Sequence, residues 1–581
     1  MTAGITLTWR RHELQDPKRD VHGLTRLPLL QATAAHRESE PQIEFPELPE
    51  SPVDKALTLL RVAAQVEHAL MVQYLYAGYS FGPTMQEIAD VAVEEMSHLM
   101  TVQNLLRFVG AQPYLYRQDF GPPASADDRL FPFDFRLEPV THVSLAKYVV
   151  AESPAEAPPG VDPAVLAHIA ELALGPAHEP VNRVGTLYAL LAAVFGNEES
   201  LGESVDPWFM AVSDLAAEAA VFYGGRDKLH LPDDAFRPAS APEQASDSQW
   251  DRSKVKSIDE FRVFVVASRR EALEALRDIG LQGEGPSPIA TETAHFRRFY
   301  NLFVTFFGAD GLGTNPPPGV QPVPTGSQIL LDGRETGEEQ QAGDNVISHP
   351  TTVRWARLAD LRYAILLGSL EHSLRFPGND LAFLRGWCFA EMYSLRKLAE
   401  LLRQMPRTAT PTTAQVAALP FTLPPWLATG SRWSDLRAAF AESLTIAAEL
   451  HDGAVAGSVQ HLLLTHLLAS DERKLAEATA RATDGSTQRS RTDSVRDVLD
   501  WAAGAGNPGH DGQGRFWNLR RNELLQVSID EANVMAPADP EAEALLIEML
   551  RTRMPQSRPK LPTTGEEFLL IKSWVDENFP D

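Results

Sequence analysis

The stretches VEEMSHLMTVQNLL (residues 93–106) and TETAHFRRF (residues 291–299) each set a Glu-x-x-His tetrad into an apolar helical pattern. The tetrads run from Glu95 to His98 and from Glu292 to His295. Residues three apart lie on one face of a helix, so a carboxylate and an imidazole can bind one cation together. Because a buried carboxylate is costly unless it is paired or metal-bound, the two tetrads predict a dimetal site inside a helical bundle.

Glu67 adds a third carboxylate to this pattern. It lies on the apolar stripe of an earlier predicted helix, which begins at Ser51-Pro52 and contains VEHALMVQYLYA (residues 66–77). We expect Glu67 to bridge the two metal ions. Taken singly, either tetrad is also explained by an ion-paired core histidine, but the five residues together favour a metal site. Glu94 is either a hydrogen-bond acceptor for His98 or a surface carboxylate.

The composition excludes several classes of function. The chain has 581 residues, and 52 Lys and Arg against 78 Asp and Glu give a formal net charge of −26, which would repel nucleic acid and anionic membranes. Cys388 is the single cysteine, so an internal disulfide, a thiolate zinc site and a Cys-x-x-Cys-His haem attachment are excluded. No signal-peptide pattern or membrane-length apolar run is found, so we expect a cytoplasmic protein.

Helical periodicity dominates the chain and predicts an all-α fold. We expect a ferritin-like four-helix bundle with long insertions, a second helical lobe and a small C-terminal helical module. The predicted segments are an N-terminal arm (1–50), the metal-binding bundle (51–310), a Pro- and Gly-rich loop without regular elements (311–350), the second lobe (351–480), and a linker with the C-terminal module (481–581).

Three stretches resemble a known family. VEHALMVQYLYA (66–77), VEEMSHLMTVQNLL (93–106) and LQGEGPSPIATETAHFRRF (281–299) are similar to the ferritin-like domain of the iminophenyl-pyruvate dimer synthase type, which belongs to bacterial secondary metabolism. In that family a Gln-Gly-Glu-Gly turn, matched here by Gln282 to Gly285, precedes a Glu-x-x-His helix. The resemblance covers roughly residues 50–405 and implies two iron ions, with manganese as the alternative.

The chain departs from the family at the third helix. The family carries a metal-binding Glu in a segment resembling I-G-E-x-Y, but this chain reads Val184-Gly185-Thr186-Leu187-Tyr188. Thr186 stands where the Glu is expected. Glu179, two turns earlier on the same face, is the predicted substitute. The departure at Thr186 therefore implies a second metal that is weakly held, asymmetric or absent, which leaves both a diiron and a mononuclear iron site open.

These patterns support one leading function and two alternatives. The leading hypothesis is an iron-dependent, O2-using oxidoreductase, which acts on an amino-acid-derived or peptide intermediate and takes electrons from a donor that the sequence does not name. Oxidative coupling of imines is the reaction that the resemblance permits. A non-catalytic metal-binding or scaffold protein is the first alternative, favoured by Thr186. Iron storage is the second alternative, and the long insertions disfavour it. The sequence leaves open whether the protein forms a homo-oligomer.

Overall fold

The computed structural model describes most of residues 42–484 and a few short pieces outside them. The described residues are 9–13, 42–81, 86–117, 136–153, 160–174, 184–202, 204–247, 261–282, 294–308, 317, 319–331, 334–335, 345–375, 379–409, 415–428, 430–484, 528–529, 532–533, 546–547, 571–572 and 575. The predicted C-terminal module therefore lies almost entirely outside the described residues.

The first two helices form a long hairpin. α1 spans Pro52–Phe81 and α2 spans Gln86–Phe108, and the two are in extensive contact along their lengths. The Ser51 hydroxyl accepts the backbone N–H of Asp54 at 3.4 Å, which caps α1 as the Ser-Pro pattern predicts. After α2, Gly110 adopts a φ of 83°, the left-handed conformation that ends many helices.

Eight further α-helices lie in the described residues between 136 and 308. They are α3 (His142–Ala151), α4 (Pro163–Leu174), α5 (Val184–Phe195), α6 (Glu198–Gly202), α7 (Pro207–Phe222), α8 (Arg226–Leu229), α9 (Arg269–Gln282) and α10 (His295–Phe307). α10 packs against α3 and α2, while α5 packs against α1, α7 and α9. Helices that are distant in sequence are thereby brought to the faces of the α1–α2 hairpin.

Two more helix hairpins form the described part of the second lobe. These are α11 (Pro350–Arg375) with α12 (Asn379–Leu402), and α13 (Trp433–Asp452) with α14 (Val459–Asp484). α11 packs on α13, and α12 also contacts α1. A single cluster of buried apolar side chains extends from the first hairpin into this lobe. His68 Nε2 lies 2.5 Å from the Tyr363 hydroxyl across the junction.

Strands are short in the described part of the chain. β1 (Trp9–Glu13) pairs antiparallel with β2 (Gln42–Pro46), β3 (Gln328–Leu331) pairs with β4 (Arg334–Glu335) and β5 (Val346–Ile347), and β6 (Ser528–Ile529) pairs with β7 (Ala532–Asn533). The all-α prediction is confirmed. The loop predicted over 311–350 nevertheless contains β3, β4 and β5, because pairing between its own segments satisfies backbone groups that composition alone does not reveal.

No helix within the described ranges combines the length and apolarity needed to cross a membrane.

Candidate metal centre

Five buried polar side chains converge beside the α1–α2 hairpin. They come from α1, α2, the residue that follows α3 and the first residue of α10, and they are Glu67, Glu95, His98, Glu152 and His295. Each residue is at most 3 % exposed. They form two groups of three ligand atoms, and within each group the atoms lie within 4.8 Å of one another. We name them the His98 cluster (Glu67, Glu95, His98) and the His295 cluster (Glu95, Glu152, His295).

The His98 cluster joins α1 to α2. His98 Nδ1 lies 2.9 Å from Glu95 Oε2 and 3.4 Å from Glu67 Oε2. The Glu95 contact is the i, i+3 pairing that the tetrad predicts on one helix face. One imidazole nitrogen thus faces two carboxylates from different helices.

The His295 cluster joins α2 to α3 and α10. His295 Nδ1 lies 3.1 Å from Glu95 Oε1 and 3.7 Å from Glu152 Oε2. The two imidazole rings are stacked, with their centroids 5.6 Å apart. Glu95 therefore lies between them, with one carboxylate oxygen towards each Nδ1. Glu67 belongs to the His98 cluster only, whereas Glu95 belongs to both clusters because α2 faces both α1 and α10. That Glu67 bridges two metal ions stays a prediction.

The remaining nitrogen of each imidazole has its own partner. His295 Nε2 lies 2.9 Å from Glu94 Oε2, and Arg298 donates to the other oxygen of Glu94 at 2.6 Å. His98 Nε2 lies 2.7 Å from the Gln282 side-chain oxygen. Of the two alternatives for Glu94, the acceptor role is the one found, but for His295 rather than His98. Helical spacing suggested His98, whereas α10 delivers His295 to Glu94 from outside the helix.

Aromatic side chains close the site. The Tyr188 hydroxyl on α5 donates to Glu67, and the Tyr74 hydroxyl donates to Glu152 Oε1 at 2.5 Å. Phe299 packs on the rings of Tyr74 and Tyr148, with centroids 4.8 and 5.3 Å away. This wall keeps bulk water from the carboxylates, which strengthens their electrostatic interactions.

Burial and charge shift the protonation of the His98 cluster. Burial, and then the charge of Glu95, raise the pKa of Glu67 to about 7. Burial lowers the pKa of His98, but hydrogen bonds to Glu67 and Glu95 outweigh it and raise that pKa to about 10. The carboxylates therefore hold a positive charge on the imidazole between them.

The His295 cluster shows the same balance. Burial disfavours the charged imidazole, but the charge of Glu95 and hydrogen bonds to neighbouring glutamates raise the pKa of His295 well above its ordinary value. Burial raises the pKa of Glu95, yet the charge of His295 brings it below its ordinary value. Both clusters thus favour a cation among their carboxylates.

The donor set fits a pair of metal ions. Glu67 Oε2, Glu95 Oε1 and His295 Nδ1 are buried, and each has an ion-pair neighbour but no hydrogen bond of good geometry among the described residues. Buried polar atoms seldom remain in this state unless a ligand uses them. Carboxylate oxygens with one imidazole per position suit Fe(II) or Mn(II). The buried clusters are therefore compatible with a dimetal site.

Glu152 is the site residue that sequence reasoning missed. The prediction of a third-helix carboxylate near Thr186, with Glu179 as its substitute, stays a prediction, and Glu152 at the end of α3 adds a buried carboxylate that the sequence does not predict. The signal was the apolar run Tyr148 to Ala151, which ends in an acidic residue. Glu179, Glu292 and the Gly283–Gly285 turn lie outside the described residues, as does the side chain of Thr186.

Comparison with known proteins agrees with this geometry. Residues 60–304 match the family model described as Ferritin-like. This segment is similar to that family, and the match covers less than half of the chain. It contains all five residues of the two clusters. No curated protein and no solved structure matches the chain.

Proposed function

We propose that the chain is an iron-dependent, O2-using oxidoreductase that acts on a small amino-acid-derived or peptide intermediate. The observation that carries the proposal is the pair of buried Glu/His clusters that share Glu95. Iron bound there would supply the electrons that reduce O2. The ferritin-like match supports a metal-binding bundle, and the resemblance to the dimer synthase type supports a substrate from specialised metabolism.

The protein residues would divide the work. Glu67 and His98 would hold one ion, Glu152 and His295 the other, and Glu95 would be shared by both. Tyr188 would orient Glu67 and keep a proton at its own hydroxyl, since burial and the charge of Glu67 raise the pKa of Tyr188 well above its ordinary value. The aromatic wall would limit side reactions with water.

A non-catalytic metal-binding protein is the remaining alternative. Thr186 favours it because the family's third-helix Glu is replaced by Thr at this position. Glu152 provides a buried carboxylate beside His295, so that argument loses its force. O2 consumption decides between the two: an oxidoreductase consumes O2 after Fe(II) loading in a substrate-dependent manner, whereas a scaffold does not.

Metal analysis tests the proposal directly. We expect the purified, Fe(II)-loaded protein to hold up to two ions per chain, and Glu95→Ala to lose most of both because Glu95 belongs to both clusters. His295→Ala should lose mainly the ion that the His295 cluster holds. Glu87→Ala, an exposed change on the same helix, is the matched control. Iron content in Glu95→Ala equal to that of the control would contradict the proposal.

A further inference from the structure

The two clusters differ in what lies behind each imidazole. His295 Nε2 faces a buried carboxylate, Glu94, at 2.9 Å, whereas His98 Nε2 faces the neutral side-chain amide of Gln282 at 2.7 Å. Glu94 is 1 % exposed. Glu94 is therefore an interior carboxylate, whereas Gln282 is only partly buried.

Arg298 fixes the orientation of Glu94. It donates to Glu94 Oε1 at 2.6 Å and also to the backbone oxygen of Glu87, which lies about two turns earlier on α2. Glu94 Oε2 is thereby left to face His295 Nε2. The Gln282 amide nitrogen donates to Asp278 at 3.1 Å within the same helix, which leaves the amide oxygen towards His98 Nε2.

A carboxylate that accepts from one imidazole nitrogen makes the other nitrogen a stronger electron donor and fixes the ring. A neutral amide oxygen does this less well, because hydrogen bonds to charged acceptors are roughly twice as strong as neutral ones. Each cluster otherwise offers two carboxylates and one imidazole, with Glu95 in common. The outer partners are thus the clearest difference between the clusters.

Resting on the proposed function, we propose that the two metal positions are unequal, and that Glu94, held by Arg298, is a positioning residue that makes the His295 cluster the tighter one. The His98 cluster would fill second.

Anaerobic titration of the full chain with Co²⁺ tests this order, with calorimetry and the visible absorption of bound Co²⁺ as readouts. We expect two steps. His295→Ala should remove the tighter step and His98→Ala the weaker one. The reverse assignment, or two equal steps in the unaltered protein, would overturn the inference while leaving a dimetal site in place. Absence of Co²⁺ binding would overturn the proposed function as well.

Glu94→Gln isolates the outer carboxylate. We expect it to weaken the tighter step by about 10- to 100-fold and to alter its Co²⁺ spectrum, while the weaker step changes little. Glu87→Gln makes the same chemical change at an exposed position of the same helix and should leave both steps unchanged. A tighter step that is unaffected by Glu94→Gln would contradict the role of Glu94.

Gln282→Glu is the complementary variant, and it keeps the inference testable if Glu94→Gln does not fold. It places a carboxylate beside His98 Nε2, so the weaker Co²⁺-binding step should become tighter. The affinities of the two steps should then lie closer to each other. Far-UV circular dichroism would verify folding of each variant. An unchanged separation between the steps would count against the inference.

Discussion

Glu95 is the residue on which the site depends, because its two oxygens face different imidazoles. Oε2 lies 2.9 Å from His98 Nδ1, and Oε1 lies 3.1 Å from His295 Nδ1. The Glu-x-x-His spacing was sufficient to predict the first contact, which is local to one helix. The second contact joins residues two hundred positions apart and could not be read from spacing.

Substitutions of Glu152 and of Glu179 are expected to have different effects on metal binding. Glu152 lies in the His295 cluster, whereas Glu179 is the substitute that the sequence suggested. We expect Glu152→Gln to weaken one bound metal by at least about tenfold, and Glu179→Gln to leave both unchanged, since losing a ligand should cost no less than losing its outer partner. Metal content after dialysis against a weak chelator measures both. Loss in Glu179→Gln alone would favour the expectation from sequence.

Between elements, α11 is fixed to α13 through His372. Its ring stacks on Trp433 with centroids 4.5 Å apart. Burial, and then the charge of Arg375, lower the pKa of His372 to about 3. The unfolded chain binds the proton more readily, so the stability contributed by neutral His372 is present above pH 6.5 and falls as the pH drops from there towards 3.

We therefore expect His372 to remove about 2 kcal/mol of stability between pH 7 and pH 5. The His372→Gln protein should lack this contribution to the pH dependence of the unfolding free energy, while the contributions of the other histidines remain. Urea unfolding of both proteins at the two pH values gives the comparison. Equal pH dependence in the two proteins would show that His372 is readily protonated in the folded state.

A buried ion pair connects α11 to α14. Arg362 donates to both oxygens of Asp471 at 2.7 and 2.6 Å, and it also lies 3.4 Å from Glu391 on α12. Arg362 and Asp471 are fully buried. Breaking such a pair leaves a charge without its partner in a medium of low dielectric constant.

We expect Asp471→Ala to lower the free energy of unfolding by about 3–5 kcal/mol. Glu442→Ala breaks the partly exposed pair between Arg357 and Glu442, which joins α11 to α13, and should cost at most about 1 kcal/mol. Urea denaturation at neutral pH measures both values. Similar costs for the two variants would mean that water reaches Asp471.

At the scale of the whole molecule, the bundle and the second lobe share one continuous apolar cluster. α12 contacts α1, and His68 meets Tyr363 across the junction. A ligand that stabilises one lobe should therefore stabilise the other. The domain boundaries suggested by composition remain predictions.

We expect the helices of both lobes to unfold in one thermal transition, and we expect metal loading to raise the melting temperature of that transition. A ligand at about 100 times its Kd adds about 2.7 kcal/mol to the stability of the folded state. Far-UV circular dichroism with and without Co²⁺ measures the shift, and Glu95→Ala should abolish it. Two separate transitions, of which only one responds to Co²⁺, would show that the lobes unfold independently.

The sequence by itself determined the helical fold class, the start of α1 at Ser51-Pro52, and the pairing of Glu95 with His98. These features depend on contacts within a few residues, where the helical repeat of 3.6 residues fixes which side chains share a face. Tertiary structure alone decided that Glu152 lies in the His295 cluster, that Glu94 lies beside His295 Nε2, and that Glu95 lies in both clusters. Such choices depend on how helices distant in sequence pack together, and packing is fixed by the shape of the whole core rather than by any local pattern.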